Sequence, residues 1–355
     1  MERENNCNDM RLVAAILVVI SHSFTLANGT NDHEPIFWLS QGQVTAGGLS
    51  VFTFFVLSGC LITRSFERSK SVVSFMAARV VRIIPALAVV LFVTAFMLGP
   101  LLTDLSGAAY FESAEPIRYL VRNVSLLTYV ENLPGVLVRN PLPGVMNGSL
   151  WTLHIEAFCY ATVLLLGLAK LLNRFVSAGL VVAGMVATTV MDKVSYPLLL
   201  VSYFMAGVAL YHWRIGRTRS RAVACAALLI ASMFAGGFVV AFATAGAYLV
   251  CYLAFAPPLR RRGVTGVNDL SYGTYIWAFP VQQTVAHQLG AGVTWYADAL
   301  ISLPIVLVLA WTSWNGVEKH ALKLKSRFRP DTLPRTAEAA PTGGHLESGT
   351  VSRLC

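Results

Sequence analysis

The sequence predicts an all-α, polytopic integral membrane protein with about ten transmembrane helices and both termini in the cytoplasm. Hydrophobic residues make up 55% of the 355 residues, charged residues make up 13%, and the mean hydropathy is +0.62. A soluble domain carries about 25% charged residues. The apolar residues fall in segments of membrane length, and short basic blocks separate them. This composition argues against an ordinary soluble enzyme.

Ten apolar segments have about the length that a helix needs to cross the hydrocarbon core of a bilayer. Gly and Pro interrupt a few of them, so their ends are approximate. We place the spans at about 11–27, 47–63, 83–103, 149–169, 175–191, 195–213, 222–241, 243–258, 270–290 and 297–316.

The basic residues provide an independent signal for the topology. With the N-terminus in the cytoplasm, the inner segments hold 23 of the 27 lysine and arginine residues, and the outer segments hold 4. This asymmetry follows the positive-inside rule. It supports an even number of spans, and it assigns the net charge of +9 to membrane topology rather than to nucleic-acid binding.

Residues 1–325 are predicted to form one membrane-embedded domain. Residues 326–355 are rich in Pro, Thr, Gly and Ser, which predicts a disordered cytoplasmic tail. Glu2, Glu4 and Asp9 precede the first span, whereas a cleaved signal peptide begins with a positively charged region. The six cysteines form no CxxC pair and no His/Cys ligand spacing, so we expect no metal site.

The first span carries two residues of interest, Arg11 and His22. They are eleven residues apart, which is about 1100° of helix or three turns plus about 20°, so both lie on one face about 16 Å apart. An ionisable side chain inside a membrane marks a functional site by default. The alternatives are an Arg11 that anchors the helix at the lipid surface and a His22 satisfied by a neighbouring helix.

Arg79 and Arg82 lie at the predicted cytoplasmic entrance of the third span. They are three residues apart, so a helix places them on one face, where two guanidinium groups suit a phosphate ligand. Anchoring at lipid headgroups is the alternative. The Ser58–Gly59 pair of the second span allows close approach either of another helix or of a ligand.

Glu156 lies about 7 Å below Trp151, which marks the outer edge of the fourth span. A carboxylate at that depth needs a partner, and the candidates are His22, an acceptor hydroxyl or a structural hydrogen bond between helices. In the ninth span Pro280 would leave the carbonyl of Ile276 without its helical donor. The glutamines at 282 and 283 also need partners there, which either a substrate cavity or helix packing would supply.

Five motifs occur in the order found in membrane-bound acyltransferase family 3. They are Arg11 with ten residues to His22, FFVLSG at 54–59, RVVR at 79–82, SLWTLHIE at 149–156 and SYGTYIWAFPVQ at 271–282. The chain therefore resembles these bacterial O-acetyltransferases of surface polysaccharides, nodulation factors and related glycans over about residues 8–318. Asn8 stands where many members have Asp, with Asp9 following, and Ala278 stands where many have a histidine.

The resemblance implies ten transmembrane helices and an acyl-CoA donor, usually acetyl-CoA, reached from the cytoplasm. It implies that His22 is the catalytic histidine and Glu156 an active-site carboxylate. Arg11, Arg79 and Arg82 would bind the donor, and no tightly bound cofactor is expected. Some relatives carry a fused periplasmic hydrolase-like domain. This chain is too short for one, so we expect direct transfer to the acceptor.

The resulting prediction is an O-acetyltransferase of the bacterial cytoplasmic (inner) membrane, acting on a glycan or lipid-linked saccharide. His22 would act as general base on a sugar hydroxyl, a role for which imidazole is suited near neutral pH, with Glu156 orienting it or the acceptor. An acetyl-histidine intermediate is the mechanistic variant. The alternatives are a glycan transporter or flippase, and a non-catalytic scaffold of polysaccharide assembly.

Overall fold

The computed structural model describes residues 6–191, 195–256 and 269–324 of the chain. These residues contain ten long helices, and extended pairing among them is limited to two isolated bridges, Thr103 with Val136 and Asn132 with Val145. The helices are α1 (Cys7–Asn28), α2 (Ala46–Arg68), α3 (Val72–Leu102), α4 (Trp151–Leu168), α5 (Arg174–Val190), α6 (Tyr196–Trp213), α7 (Arg219–Ala235), α8 (Phe238–Phe255), α9 (Ser271–Leu289) and α10 (Trp295–Lys323).

Six of these helices, α1, α2, α3, α4, α8 and α10, are long and apolar enough to cross a membrane. The predicted all-helical class is therefore confirmed for the described residues, and each predicted apolar segment overlaps a long helix, with 222–241 extending from α7 into the start of α8. The count of ten spans and the cytoplasmic position of both termini stay predictions. The predicted tail at 326–355 and the basic block at 260–262 lie outside the described residues.

Helix α3 begins earlier than the sequence predicted. Its first residue is Val72, because the hydroxyl of Ser71 caps it by accepting a hydrogen bond from the backbone N–H of Ser74 at 3.1 Å. Arg79 and Arg82 therefore lie inside the helix, in its second and third turns, and their place at the cytoplasmic entrance of the span stays a prediction. Arginine is a good helix former, so a basic pair does not end a helix as it ends an apolar segment.

The interior is built around α1, which packs against α2, α9 and α10. Helices α2 and α6 approach most closely at two glycines, because a Cβ on Gly59 would lie 2.0 Å from the carbonyl oxygen of Phe204. A Cβ on Gly207 would lie 2.2 Å from the carbonyl oxygen of Val56. Of the two roles considered for Gly59, close helix packing is the one that the structure shows.

The segment between α3 and α4 forms two short helices, Gly107–Glu112 and Glu115–Ser125, and then a loop that packs against α9. Pro280 lies inside α9, and the carbonyl of Ile276 accepts instead from the side-chain amide of Asn147 at 3.2 Å. The amide nitrogen of Gln283 donates to two further loop carbonyls, those of Leu142 at 2.9 Å and Val145 at 2.8 Å. The backbone group that the proline frees thus helps to hold the loop.

Candidate active site

Helix α1 places Arg11 in its second turn and His22 six residues before its last residue, Asn28. The helix is continuous between them and ends at Gly29, whose left-handed conformation (φ 74°) lets its N–H donate to the carbonyl of Thr25 at 2.8 Å. Arg11 and His22 therefore share one helix face, as predicted, and both side chains are partly buried. They line two different cavities.

Asp269, just before α9, joins two of the predicted donor-binding arginines. Its Oδ2 accepts from Arg11 Nη1 at 3.2 Å and from Arg82 Nη2 at 2.5 Å, and its Oδ1 accepts from the hydroxyl of Ser271 at 2.6 Å. Burial raises the pKa of Asp269, but Arg11, Arg82 and Ser271 outweigh that effect and bring the pKa to about 2. Asp269 is thus a fixed negative charge between the two arginines.

Arg82 has a second carboxylate partner on α10. Its Nη1 lies 3.5 Å from Oε2 of Glu318, whose side chain is only 2% exposed. Glu318 ends a π-helical turn, Trp314–Glu318, and its other oxygen accepts from the hydroxyl of Ser313 at 3.1 Å. The guanidinium of Arg82 also lies 5.7 Å from the ring centre of Tyr272. Arg82 is therefore the centre of an ion cluster joining α3, α9 and α10.

Arg79 has different neighbours, although it lies only one turn away. Its Nη2 donates to the hydroxyl of Ser65 at 3.2 Å, and its guanidinium lies 5.7 Å from the ring of Phe75 and 5.8 Å from the ring of Tyr160. Its Nε has no hydrogen-bond partner among the described residues. No carboxylate in the described part of the chain forms an ion pair with Arg79, so it keeps hydrogen-bonding capacity for an anion.

Glu156 lies in α4 and lines a small cavity of ≈ 50 Å³ together with Arg11, Ser58 and residues of α9, here called the Arg11 cavity. Its Oε1 accepts hydrogen bonds from the hydroxyl of Ser58 at 3.3 Å and from the hydroxyl of Tyr160. Tyr160 thus lies between Glu156 and the guanidinium of Arg79. Within the described residues no hydrogen bond joins Glu156 to His22.

His22 lines a larger cavity of ≈ 210 Å³, here called the His22 cavity. Its Nδ1 is buried and has no hydrogen-bond partner in the described part of the protein. Polar groups line the same space from several elements, together with four aromatic rings. They are Ser21, Thr25, Asn31, Thr45, Ser149 and Thr152, with the rings of Phe52, Trp151, Tyr196 and Tyr275. An unsatisfied imidazole beside hydroxyl and amide groups is suited to proton transfer with a polar ligand.

The ring of His22 is held from one side by Phe279, edge to face with 5.2 Å between the ring centres. Phe279 in turn packs on Gly148, where a Cβ would lie 2.7 Å from the phenyl ring. Gly148 follows Asn147, which is bound to the carbonyl that Pro280 frees. The loop, the proline and the histidine are therefore parts of one packed arrangement.

A buried polar network on α1, α9 and α10 lies directly beside His22. Gln282 donates to the carbonyl of Val19 at 2.8 Å, to the hydroxyl of Ser23 at 2.8 Å and to Oδ2 of Asp298 at 2.9 Å. The hydroxyl of Ser23 donates to Asp298 at 2.7 Å, and that of Ser302 does so at 3.2 Å. Helix packing thus supplies partners for the amide nitrogen of Gln282, whose Oε1 has none among the described residues, and it fixes the turn of α1 that carries His22.

The structure brings together Arg11 and Arg82 through Asp269, and it brings Arg79 to Glu156 through Tyr160. It places His22 in a separate cavity. The sequence interpretation did not select Asp269, Glu318, Thr152 or Tyr275 for the site. An acidic residue directly before a polar helix start was a signal for Asp269, whereas only the folded chain indicates the others.

Comparisons with known proteins agree with the resemblance that the five motifs predicted. A family model described as an acyltransferase domain matches residues 8–314. The chain is 34% identical to an O-acetyl transferase of Shigella phage Sf6, over 91% of this chain and 98% of that protein. It is 27% identical to nodulation protein 10 of Rhizobium leguminosarum bv. viciae, over 91% and 94% respectively. No solved structure matches the chain.

Proposed function

The chain belongs to the acyltransferase family and is an O-acetyltransferase, and on that premise we propose that acetyl-CoA is its donor and a glycan hydroxyl its acceptor. The acceptor is a cell-surface or exported glycan, or its lipid-linked precursor. The enzyme lies in the bacterial cytoplasmic membrane with ten spans and both termini inside. Residues 1–325 form the membrane domain, and 326–355 form its cytoplasmic tail. The donor is a substrate rather than a tightly bound cofactor.

The His22 cavity is the observation that carries the proposal. His22 lines this space together with hydroxyl groups, the side-chain amide of Asn31 and four aromatic rings, and its buried Nδ1 has no hydrogen-bond partner among the described residues. This mixture of small polar groups and aromatic faces suits a polyhydroxylated ligand better than an apolar one. Arg11 lies on the same helix face near the first residues of α1. This position supports a donor that approaches His22 from the N-terminal end of that helix.

The arginines support a donor that carries phosphate groups. Arg79, with an unsatisfied Nε and no carboxylate partner among the residues that the structure describes, is the side chain best placed to bind a phosphate directly. Arg11 and Arg82 share Asp269, so they contribute positive potential and gain full hydrogen-bonding capacity when a phosphate displaces that carboxylate. Glu156 would orient the thioester end of the donor or the incoming hydroxyl through the Arg11 cavity.

In the proposed reaction a ring nitrogen of neutral His22 takes the proton of the acceptor hydroxyl. The hydroxyl oxygen attacks the thioester carbonyl carbon, the carbon–sulfur bond breaks, and the coenzyme A thiolate leaves and receives the proton. The products are an acetyl ester and free coenzyme A. In the covalent variant His22 itself takes the acetyl group first and then passes it to the hydroxyl.

Membrane fractions containing the protein test this function directly. They are incubated with radiolabelled acetyl-CoA and a crude glycan fraction, with the His22→Ala variant in parallel. We expect label to enter the glycan only with the wild-type protein, at equal protein levels in the two membranes. Full acetylation by His22→Ala would overturn the catalytic assignment. Glycan movement across the membrane without acetyl-CoA consumption would indicate a transporter instead.

A further inference from the structure

The His22 cavity and the Arg11 cavity share one wall. Val51 of α2, Thr152 of α4 and Tyr275 of α9 line both cavities. The space on the His22 side is ≈ 210 Å³ and the space on the Arg11 side is ≈ 50 Å³. Any group that passes from one cavity to the other within this arrangement must therefore cross these three side chains.

A closed set of hydrogen bonds holds the wall together. The hydroxyl of Tyr275 lies 2.5 Å from Oγ1 of Thr152, and both hydroxyls lie within reach of the carbonyl of Ser149, at 3.0 Å and 3.3 Å respectively. Each hydroxyl has one proton, so one of them donates to the carbonyl while the other donates to its fellow hydroxyl. Both protons are then committed, so neither hydroxyl can donate a hydrogen bond to a ligand while the wall is closed.

The wall lies on the same helix faces as the polar groups of the Arg11 cavity. Thr152 is four residues before Glu156 on α4, and Val51 is seven residues before Ser58 on α2, so each pair faces the same direction. Tyr275 closes the remaining side, with its ring 6.1 Å from the ring of Phe54. The Arg11 cavity thus extends from Glu156 and Ser58 to the Tyr275–Thr152 contact.

We propose that Tyr275 and Thr152 form a partition that the acyl group of the donor crosses to reach His22, and that Tyr275 limits the size of the acyl group transferred. This inference rests on the proposed function, because it assigns the two sides of the wall to donor and acceptor. In the closed state the partition keeps water of the His22 cavity from the thioester. Rotation of the Tyr275 ring opens a passage of limited width.

The partition leads to two predictions that can be tested separately, one on the length of the acyl chain and one on hydrolysis of the thioester. The ring of Tyr275 restricts width, so removing it admits an acyl chain with two further methylene groups. The hydroxyl contact restricts opening, so removing it lets water reach the thioester when no acceptor is present. In that side reaction a water oxygen attacks the carbonyl carbon, the carbon–sulfur bond breaks, and acetate and coenzyme A are released.

The experiment compares four variants with the wild-type protein in membranes: Tyr275→Ala, Tyr275→Phe, Thr152→Val and, as control, Tyr203→Phe. Tyr203 lies on α6 and lines neither cavity, but its buried hydroxyl donates to the carbonyl of Val239 at 2.8 Å. The control therefore loses a comparable hydrogen bond elsewhere. Transfer is measured with acetyl-CoA and with butyryl-CoA, and hydrolysis is measured with acetyl-CoA in the absence of glycan.

For Tyr275→Ala we expect the butyryl-to-acetyl transfer ratio to rise about tenfold or more, the scale on which pockets discriminate methylene groups. Tyr275→Phe and Thr152→Val keep the width of the wall, so their transfer ratio stays near the wild-type value while hydrolysis without acceptor rises severalfold. Tyr203→Phe changes neither quantity. Tyr275→Phe and Thr152→Val are nearly isosteric with the wild-type residues, so they decide the proposal even if Tyr275→Ala fails to fold.

An unchanged transfer ratio in folded Tyr275→Ala would overturn the size limit. Unchanged hydrolysis in both Tyr275→Phe and Thr152→Val would overturn the partition. Failure of the proposed function looks different, because the wild-type protein itself would then neither transfer nor hydrolyse the acetyl group of acetyl-CoA.

Discussion

The ion cluster around Arg82 and the cavity around His22 differ in how far their ionisable groups are paired. In the cluster Arg82 contacts both Asp269 and Glu318, and Asp269 also binds Arg11. At His22 the buried Nδ1 has no partner in the described part of the protein, and the nearest ring is the apolar Phe279. One region satisfies its charges internally, whereas the other leaves a buried polar atom unsatisfied in a residue that lines a cavity.

This difference distinguishes residues that hold the fold together from a residue that is available for the reaction. Internal carboxylates fix the arginines in place, so the phosphate of the proposed donor would have to compete with Asp269 for Arg11 and Arg82. A buried nitrogen without a partner is unfavourable for folding and is retained where a substrate completes it. Loss of His22 should therefore change the reaction, whereas loss of Arg82 should first change the fold.

The largest effect is expected for His22→Gln, which keeps a polar side chain of similar size in the cavity but removes the base. The turnover number should fall by about 10²–10⁴-fold, the usual contribution of a general acid–base group. The apparent Michaelis constant for acetyl-CoA should stay close to the wild-type value, because Arg11 and its cluster are unchanged. Initial rates at varied donor concentration measure both constants, and a change confined to the Michaelis constant would contradict the assignment.

The next largest effect concerns the stability of the ion cluster. Arg82→Gln leaves the carboxylate of Glu318, which is 2% exposed, without its cation. Breaking a buried pair in this way costs about 3–5 kcal/mol, so the detergent-solubilised variant should unfold at a clearly lower temperature. Adding Glu318→Gln should restore much of the loss, because the uncompensated charge is gone. If the double variant is no more stable than Arg82→Gln, the pair with Glu318 is not the cause.

The sequence was most informative where periodicity within one segment carried the signal. The eleven-residue spacing placed Arg11 and His22 on one face, and α1 is continuous from Cys7 to Asn28 as that spacing required. Pro280 likewise identified the carbonyl of Ile276 as a group in need of a donor. Local geometry fixes such statements, because a helix has the same pitch whatever surrounds it.

The sequence was least informative where a contact joins distant segments. Arg11 and Asp269 are 258 positions apart, and Arg82 and Glu318 are 236 apart. No pattern in either segment indicates which carboxylate meets which arginine, since helix packing in three dimensions decides that. For the same reason the shared face of Arg79 and Arg82 did not predict a single site: the packing of α4, α9 and α10 gives the two side chains different partners.

A smaller effect is expected for the pH dependence of stability at Asp269. Its pKa in the folded protein is about 2, below the ordinary value of 3.8. A lowered carboxyl pKa contributes stability that is complete above the ordinary value and is lost as pH falls towards the folded value. The contribution is about 2 kcal/mol. Asp269→Asn should therefore be less stable than wild type at pH 6, and the difference should shrink between about pH 4 and pH 2.

Melting temperatures of the two detergent-solubilised proteins across this pH range give the difference directly. A constant difference between wild type and Asp269→Asn over the whole range would show that the ionised carboxylate is not what stabilises the cluster. Glu318 shares Arg82 with Asp269, so both proteins carry Glu318→Gln in this comparison, and carboxyl groups outside the cluster titrate in both alike.

The smallest effect is expected at Arg79, and it separates the two arginines of the RVVR motif. In the described part of the chain Arg79 pairs with no carboxylate that its loss would leave unpaired, since its contacts are the hydroxyl of Ser65 and the rings of Phe75 and Tyr160. Arg79→Gln should leave the melting temperature nearly unchanged and raise the Michaelis constant for acetyl-CoA about tenfold, the value of one charge-assisted hydrogen bond.

Arg79→Lys is the matched control for that change. Lysine keeps the positive charge but lacks the planar fork that binds two phosphate oxygens together, so its Michaelis constant should fall between those of the wild-type protein and Arg79→Gln. Equal constants for the two variants would show that geometry, and not charge, is what Arg79 supplies. If Arg79→Gln instead destabilises the protein as Arg82→Gln does, the proposed division of roles between the two arginines is wrong.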